Sequence, residues 1–187
     1  MPKSTLQPED IQQGDRGTCY LLAAAAGTVK YKPLKRRNTY KFFFDEMAVK
    51  ARGKGDNPLT YALEKAYVKY EKKTDGDRPY DTLHGGYEYE ALEDITGVGV
   101  DWWVGDRVSL DDDLHRIDTA IDQGRPVTLS PWVGVDTGLN YGHAYKVLDV
   151  DLVSGLIHLW NPIRSDGWLH SIPDGADDGF FWHPTIE

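Results

Sequence analysis

The apolar positions in the first hundred residues recur every three or four residues, which is the period of an amphipathic helix. The clearest case runs from residue 58 to 69, where four positions share one face: Leu59, Leu63, Ala66 and Tyr67. Pro58 suits the first turn of that helix, because the N–H that proline lacks would have no partner there. We predict two further helices, over 20–26 before Gly27 and over 88–95 before Gly97.

After Gly99 the pattern becomes mostly that of β-strands. One more helix is predicted over 110–123, and three strands are predicted over 126–133, 144–150 and 156–160. Ser154-Gly155 is expected to form the turn between the last two strands. Residues 40–49 fit either a short hairpin or a helix. We therefore predict an α+β fold with a helical lobe (1–99), a β-rich lobe (100–187) and a cleft between them.

Composition limits the class of protein. The chain has 187 residues, of which 40% are hydrophobic and 12% aromatic, enough for a sizeable core in one domain or one two-lobed unit. A formal net charge of -9 argues against a general nucleic-acid binder. Without an apolar run of membrane-spanning length or a visible signal peptide, we expect a cytoplasmic protein that has no membrane partner.

Cys19 is the only cysteine, so it forms no internal disulfide and belongs to no cysteine-rich zinc site. Glycines precede it, a run of helix-forming residues begins directly after it, and Gln13 lies upstream. A thiolate at a helix N-terminus is a suitable nucleophile. The pattern therefore predicts a catalytic cysteine, with the Gln13 side chain as a donor to an oxyanion.

A cysteine nucleophile needs a base, and His143 is the best placed of the six histidines. It follows Gly142 and enters a predicted strand, and the next predicted strand ends at Asn161. Adjacent antiparallel strands would bring Asn161 to His143, where the amide oxygen can fix the imidazole tautomer. The order cysteine, histidine, asparagine is that of papain-type enzymes, with a slightly shorter first interval than the usual roughly 130–150 residues.

These residues predict thioester chemistry. We expect a resting thiolate–imidazolium pair, because a helix N-terminus and a histidine cation both lower the pKa of a thiol. The Gln13 side chain and the backbone N–H of Cys19 would hold the oxyanion, and each such donor is worth roughly 3–4 kcal/mol. His143 would then protonate the leaving amine, and water would hydrolyse the thioester.

The chain resembles the calpain family of papain-like cysteine proteases, and the resemblance extends over nearly its whole length. The similar segments, in chain order, are 10–24, 63–67, 80–86, 93–97, 142–145, 161–162 and 178–182. The resemblance implies a papain-like two-lobe fold and a cysteine endopeptidase. It implies that the catalytic residues are Cys19, His143, Asn161 and Gln13. It also implies that the backbones of Gly86 and Gly142 bind the substrate chain.

Two of the departures from the family pattern concern calcium. Family members carry a tryptophan after the Asn-Pro pair that acts as a wedge in calcium gating, and this chain has Ile163 there. Asp10 matches an acidic calcium ligand of the family, whereas Asn57 stands where a second acidic ligand is expected. We therefore expect an enzyme that requires no cofactor, including calcium. The run of three aspartates at 111–113 is interpreted as the acidic first turn of a helix.

Two other functions remain open from the sequence. A Cys-His-Asn enzyme on the same fold could be a deamidase or an acyltransferase, since both reactions pass through the same thioester. A catalytically inactive binding module is the second alternative, although the complete set of site residues argues against it. The expected partner is a protein substrate. Control would come from a regulatory protein or from fusion to a larger chain.

Overall fold

The computed structural model describes residues 11–14, 17–28, 58–70, 83–104, 110–131, 139–171 and 180–184. The helices within these residues are α1 (Cys19–Thr28), α2 (Pro58–Tyr70), α3 (Glu88–Thr96) and α4 (Leu110–Asp122). The strands are β1 (Trp103–Val104), β2 (Val127–Pro131), β3 (Tyr145–Asp151), β4 (Leu156–Asn161), β5 (Arg164–Ser171) and β6 (Phe180–Pro184). The predicted mixed class of helix and sheet is confirmed. Strands β1, β5 and β6 were not predicted from the pattern. Residues 40–49, Asp10 and Asn57 lie outside the described residues.

Helix α1 is apolar on every side and is buried on every side, from Tyr20 through Thr28. A helix without a polar face has to be enclosed by other elements, because in any orientation at the surface it would expose apolar side chains to water. It contacts α3 on one side and strands β2 and β3 on the other. The N-terminal end of α1, where Cys19 lies, is therefore fixed by the packing of the whole helix.

The strands form one sheet in the order β1-β6-β2-β3-β4-β5, and every neighbouring pair is antiparallel. Strand β3 pairs with β4 so that Lys146 lies opposite Trp160. This register brings the residues just before β3 beside the end of β4, as the sequence predicted. Strand β4 then turns into β5 through Pro162 and Ile163, with Asn161 opposite Arg164.

Within the described residues, the buried hydrophobic side chains form two clusters. The first surrounds α1 and consists of Ile11, Tyr20–Ala26, Leu63, Ala66, Tyr67, Val68, Leu83, Ala91, Leu92, Ile95, Ala144 and Trp160. The second lies between α4 and the sheet and consists of Leu114, Ile117, Ala120, Val127, Leu129, Tyr145, Val147, Val150, Ile157 and Leu159. Because Ala144 and Trp160 belong to the first cluster, it includes residues from both halves of the chain. The two-lobe arrangement and the boundary near residue 99 stay predictions.

Three hydrogen bonds hold the segment before α1 against α2. The Thr60 hydroxyl accepts the N–H of Gln12 at 3.0 Å and donates to the carbonyl of the same residue. The Thr18 hydroxyl donates to a carboxylate oxygen of Glu64 at 2.8 Å, and both side chains are buried. Helix α2 thus fixes the chain on both sides of Gln13 and immediately before Cys19. None of the described helices is long and apolar enough to cross a membrane.

Glu64→Ala is expected to lower the free energy of unfolding by about 1.5–3 kcal/mol, the usual worth of a hydrogen bond to a charged group. Glu64→Gln keeps an acceptor oxygen and should lose less. Urea denaturation of both variants measures the difference, since tryptophan fluorescence reports unfolding. A negligible loss in Glu64→Ala would show that the bond to Thr18 contributes nothing.

Candidate active site

Cys19 is the first residue of α1 and is partly exposed. Thr18 precedes it, and the carbonyl of Thr18 accepts the first helical hydrogen bond, from the N–H of Leu22 at 3.0 Å. The backbone of Ala144, the residue next to His143, lies close enough to the Cys19 thiol to lower its pKa. The structure therefore brings the thiol at the N-terminus of α1 to the segment that enters β3.

The surroundings of Cys19 oppose its ionisation. Burial raises the pKa of the thiol, and the nearby Glu88 carboxylate raises it further. The N–H of Ala144 acts in the other direction, because it stabilises the thiolate. Burial has the larger effect, so the neutral thiol is the favoured form.

His143 and Asn161 form the pair that the sequence predicted. The distance between His143 Nε2 and Asn161 Oδ1 is 2.9 Å, and both side chains are buried. Asn161 Oδ1 also accepts the N–H of Ile163 at 3.0 Å, a contact that identifies this atom as the amide oxygen. Since that oxygen can only accept, Nε2 carries the proton and Nδ1 is left as the basic nitrogen.

Burial also lowers the pKa of His143, although the bond to Asn161 acts in the opposite direction. The two groups are therefore both favoured in their neutral forms. Among the described residues, no hydrogen bond joins the Cys19 thiol to the imidazole. The expectation of a resting thiolate–imidazolium pair is thus at odds with this structure, because the sequence did not reveal how deeply both groups would be buried.

Gln13 lies beside the Asn161 turn. Its backbone N–H donates to the carbonyl of Pro162 at 2.7 Å, and its side chain is half-buried. The structure therefore brings Gln13 to the turn that follows Asn161, and α2 holds the preceding residue. That Gln13 donates to an oxyanion stays a prediction.

A pocket of about 460 Å³ opens beside Cys19, which falls in the size range of ligand sites. It is lined by Cys19, Tyr20, Gly86, Tyr87, Glu88, Tyr89, Trp102, Ser130, Pro131, Tyr141, Gly142 and Ala144. Both glycines that the resemblance assigned to substrate binding are therefore in its wall. Gly142 has a φ of 64°, a left-handed conformation that other residues rarely adopt.

Two contacts join Gly17, just before Cys19, to the segment that holds the glycine pair Gly85-Gly86. The N–H of Gly85 donates to the carbonyl of Gly17 at 2.9 Å, and the N–H of Gly17 donates to His84 Nδ1 at 3.3 Å. A Cβ on Gly86 would lie 2.6 Å from the ring of Tyr20, so only glycine fits that position without movement. This wall of the pocket therefore keeps its position relative to Cys19.

Glu88 is a pocket residue that the sequence analysis did not predict as part of the site. It begins α3 and is 5% exposed, and burial raises its pKa to about 7. In the sequence it was read only as the start of a helix. The available signal was an acidic residue two positions after the glycine pair.

The remaining residues named in the sequence lie elsewhere. The aspartates at 111–113 form the first turn of α4, as predicted. His115 is exposed, and its Nδ1 lies 2.7 Å from the carbonyl oxygen of Asp111. In the part of the chain that the structure describes, no group of three His, Cys, Asp or Glu side chains is arranged to hold a metal ion. Thr18, Thr60 and Glu64 were not predicted as positioning residues, because only the fold brings them together.

Comparison with known proteins gives one partial similarity. No protein-family model matches the chain. The chain is 30% identical to calpain-13 from Rattus norvegicus over 134 residues, which are 65% of this chain and 19% of that protein. The chain thus spans about a fifth of the length of the curated relative it matches. The similarity indicates a distant calpain-like relationship and agrees with the resemblance seen in the sequence.

Gly86→Ala is expected to lower the free energy of unfolding by about 1–3 kcal/mol, because the added methyl overlaps the Tyr20 ring. Gly14→Ala is the matched control, since a Cβ there meets nothing within 4 Å. Urea denaturation compares the two. Equal stability of both variants would mean that the Tyr20 ring moves aside without cost.

Glu88→Gln is expected to become more stable relative to the parent as the pH rises. The folded pKa of about 7 exceeds the ordinary value of 4.5, so the native state holds the proton more tightly. The parent therefore loses stability between these two values, by about 3 kcal/mol in total, and the variant lacks that loss.

Unfolding curves from pH 4 to 8 measure this difference. Glu90→Gln on the same helix is the control, because Glu90 is exposed. A pH-independent difference between Glu88→Gln and the parent would contradict the raised pKa.

Proposed function

We propose that the chain is a cysteine endopeptidase that hydrolyses peptide bonds of protein substrates through a thioester. One observation carries the proposal. The backbone of Ala144, the residue after His143, lies close enough to the partly exposed Cys19 thiol to lower its pKa, and His143 Nε2 lies 2.9 Å from Asn161 Oδ1. The adjoining pocket and the partial similarity to calpain-13 support it.

The neutral forms of both groups suggest general-base catalysis. His143 Nδ1 takes the thiol proton while the sulfur attacks the peptide carbonyl carbon, so the thiolate need not exist before the substrate binds. The proton then passes from Nδ1 to the amine as the C–N bond breaks and a thioester remains. Water attacks the thioester and gives its proton to the imidazole, the C–S bond breaks, and the proton returns to the sulfur.

The donors to the oxyanion belong to the same proposal. Gln13 and the backbone N–H of Cys19 would bind the oxygen of the tetrahedral intermediate, since both lie in segments fixed next to the site. The backbones of Gly86 and Gly142 would line the bound peptide. The proposal includes a cytoplasmic location, no nucleic-acid or membrane partner, and control by a regulatory protein or by a larger chain.

Independence from calcium is part of the proposal as well. It rests on the sequence departures at Asn57 and Ile163, and the Ile163 side chain is 49% exposed. A half-exposed aliphatic side chain covers the bond between His143 and Asn161 less than a tryptophan would. The reaction as written uses only groups of the chain and water.

An epoxide probe for cysteine proteases should label the parent once, as measured by intact mass, and should not label Cys19→Ala. His143→Ala should cut the labelling rate and peptide cleavage by at least about 100-fold, the usual contribution of a general base. Asn161→Ala should cut both less, because it removes only the group that orients the base. Labelling and cleavage should be equal in calcium and in excess chelator.

Each arm of this experiment can overturn a different statement. Equal labelling of the parent and His143→Ala would mean a merely exposed thiol, and the endopeptidase proposal would fail. A substrate mass raised by one dalton or by an acyl group, without chain cleavage, would replace hydrolysis with deamidation or acyl transfer. Activity that disappears in chelator and returns with calcium would contradict calcium independence.

A further inference from the structure

We propose that Tyr145 is a positioning residue of the site. Its ring holds the plane of the His143 imidazole, and its hydroxyl holds the turn at 140–142, which forms part of the pocket wall. The inference rests on the proposed endopeptidase function and assigns one more residue to it.

Tyr145 is itself held firmly by the fold. It begins β3, its backbone pairs with Leu129 of β2, and its side chain is 2% exposed within the cluster between α4 and the sheet. A side chain in a close-packed core keeps one rotamer, so its ring is a fixed surface for its neighbours. One of those neighbours is the imidazole of His143, two positions earlier in the chain.

The two rings meet edge to face. Their centroids are 4.8 Å apart and their planes form an angle of 88°, an arrangement that aromatic rings favour. The bond to Asn161 fixes the position of Nε2, but a single hydrogen bond leaves the ring free to tilt about that atom. The Tyr145 ring restricts this tilt and thereby sets the direction of Nδ1. That direction matters, because a base has to lie within hydrogen-bond reach of the proton it takes.

The hydroxyl of Tyr145 acts on a different part of the site. It accepts the backbone N–H of Asn140 at 2.9 Å. The N–H of Gly142, two residues further on, reaches the carbonyl of Pro131 only at 3.5 Å, so the bond to the hydroxyl is the stronger of these two anchors. Tyr141 and Gly142 both line the pocket. The hydroxyl therefore ties this wall of the pocket to the first residue of β3.

Neither packing nor acid–base chemistry explains the hydroxyl. A phenylalanine would fill the same apolar space, and a buried hydroxyl is costly unless it is hydrogen-bonded. Burial raises the pKa of Tyr145, the N–H of Asn140 lowers it by less, and the charge of the nearby Cys19 raises it further. Tyr145 therefore stays neutral, and it joins the base to the pocket wall without exchanging a proton.

Two variants separate the ring from the hydroxyl. Tyr145→Phe keeps the ring alone, whereas Tyr145→Leu removes both groups. The substrate is a fluorogenic peptide chosen from the parent's digest of a mixed peptide library, and kcat is referred to active sites counted by stoichiometric labelling with the epoxide probe.

Tyr145→Phe should raise KM roughly 3- to 10-fold and keep kcat within about 2-fold, because one ordinary hydrogen bond no longer holds the turn that binds the peptide. Tyr145→Leu should show the same rise in KM and also lower kcat at least about 10-fold, because the imidazole is then free to tilt.

Tyr67→Phe is the matched control. It also removes the hydroxyl of a buried tyrosine, one that donates to Asp94 at 2.8 Å, and Tyr67 does not belong to the described pocket lining. It should lose stability in thermal denaturation and keep the parent's KM and kcat. A purely structural role of Tyr145 would lower Tm in every variant without separating KM from kcat. Tyr145→Met takes the place of Tyr145→Leu if the latter does not fold.

The outcomes distinguish the parts of the proposal. A parent-like KM in Tyr145→Phe would overturn the role of the hydroxyl, and equal kcat values in Tyr145→Leu and Tyr145→Phe would overturn the role of the ring. A similar rise in KM in Tyr67→Phe would show that the loss of any buried hydroxyl has this effect, and the inference would fail.

The epoxide probe separates this inference from the endopeptidase proposal. If the parent is labelled but cleaves no peptide, the endopeptidase proposal fails. The half-saturating probe concentration and the maximal labelling rate then replace KM and kcat in the same comparison of variants, with the same expected changes. A parent that is not labelled and cleaves nothing would overturn both proposals.

Discussion

The burial of α1 is the constraint on which the site depends. The helix has no polar face, so its neighbours on the sheet and in α3 must enclose it, and its first residue emerges at a fixed point between them. Cys19 therefore takes its position from the packing of the whole helix. The base is placed by a different constraint, the register of β3 and β4, which brings Asn161 to His143. The two constraints meet where the backbone of Ala144 lies beside the Cys19 thiol.

Burial also decides the electrostatics of the site. It raises the pKa of Cys19 and of Glu88 and lowers that of His143, so all three groups are shifted toward their neutral forms. The site therefore holds little charge, and the charges that the proposed reaction requires would appear only as the reaction proceeds. This differs from a site that holds a ready thiolate, in which reactivity would not depend on what occupies the pocket.

Much of the fold was predictable from local patterns. The helices at 58–70 and 88–96 and the strands at 145–151 and 156–161 follow from hydrophobic period, Pro58, Gly97 and the turn at Gly155, all of which act over a few residues. The pairing of His143 with Asn161 was predictable, because two adjacent strands joined by a short turn have few alternative registers in which to pair. Strands β1, β5 and β6 were missed, since β1 is only two residues long and the other two do not alternate strictly between apolar and polar residues.

The candidate site was less predictable where it depends on contacts across the fold. Glu64 looked like any charged residue of an amphipathic helix, yet it is buried and accepts from Thr18. Glu88 gave the local signal of a helix start, and only the pocket shows what surrounds it. The ionisation of Cys19 was predicted in the wrong direction, because the length of the helix after it does not reveal how much water reaches the sulfur. The local sequence does not reveal how far segments distant along the chain bury a given side chain.

Two of the connections around Cys19 run between backbone atoms, from Gly85 to Gly17 and from Gln13 to Pro162. Bonds of this kind persist whatever side chains the neighbouring positions carry. The walls of the pocket can therefore exchange side chains during evolution while the thiol and the imidazole keep their relative placement. A lineage that carries this framework can acquire new preferences by changes at Tyr87, Glu88 or Tyr141, and it does not have to rebuild its chemistry each time.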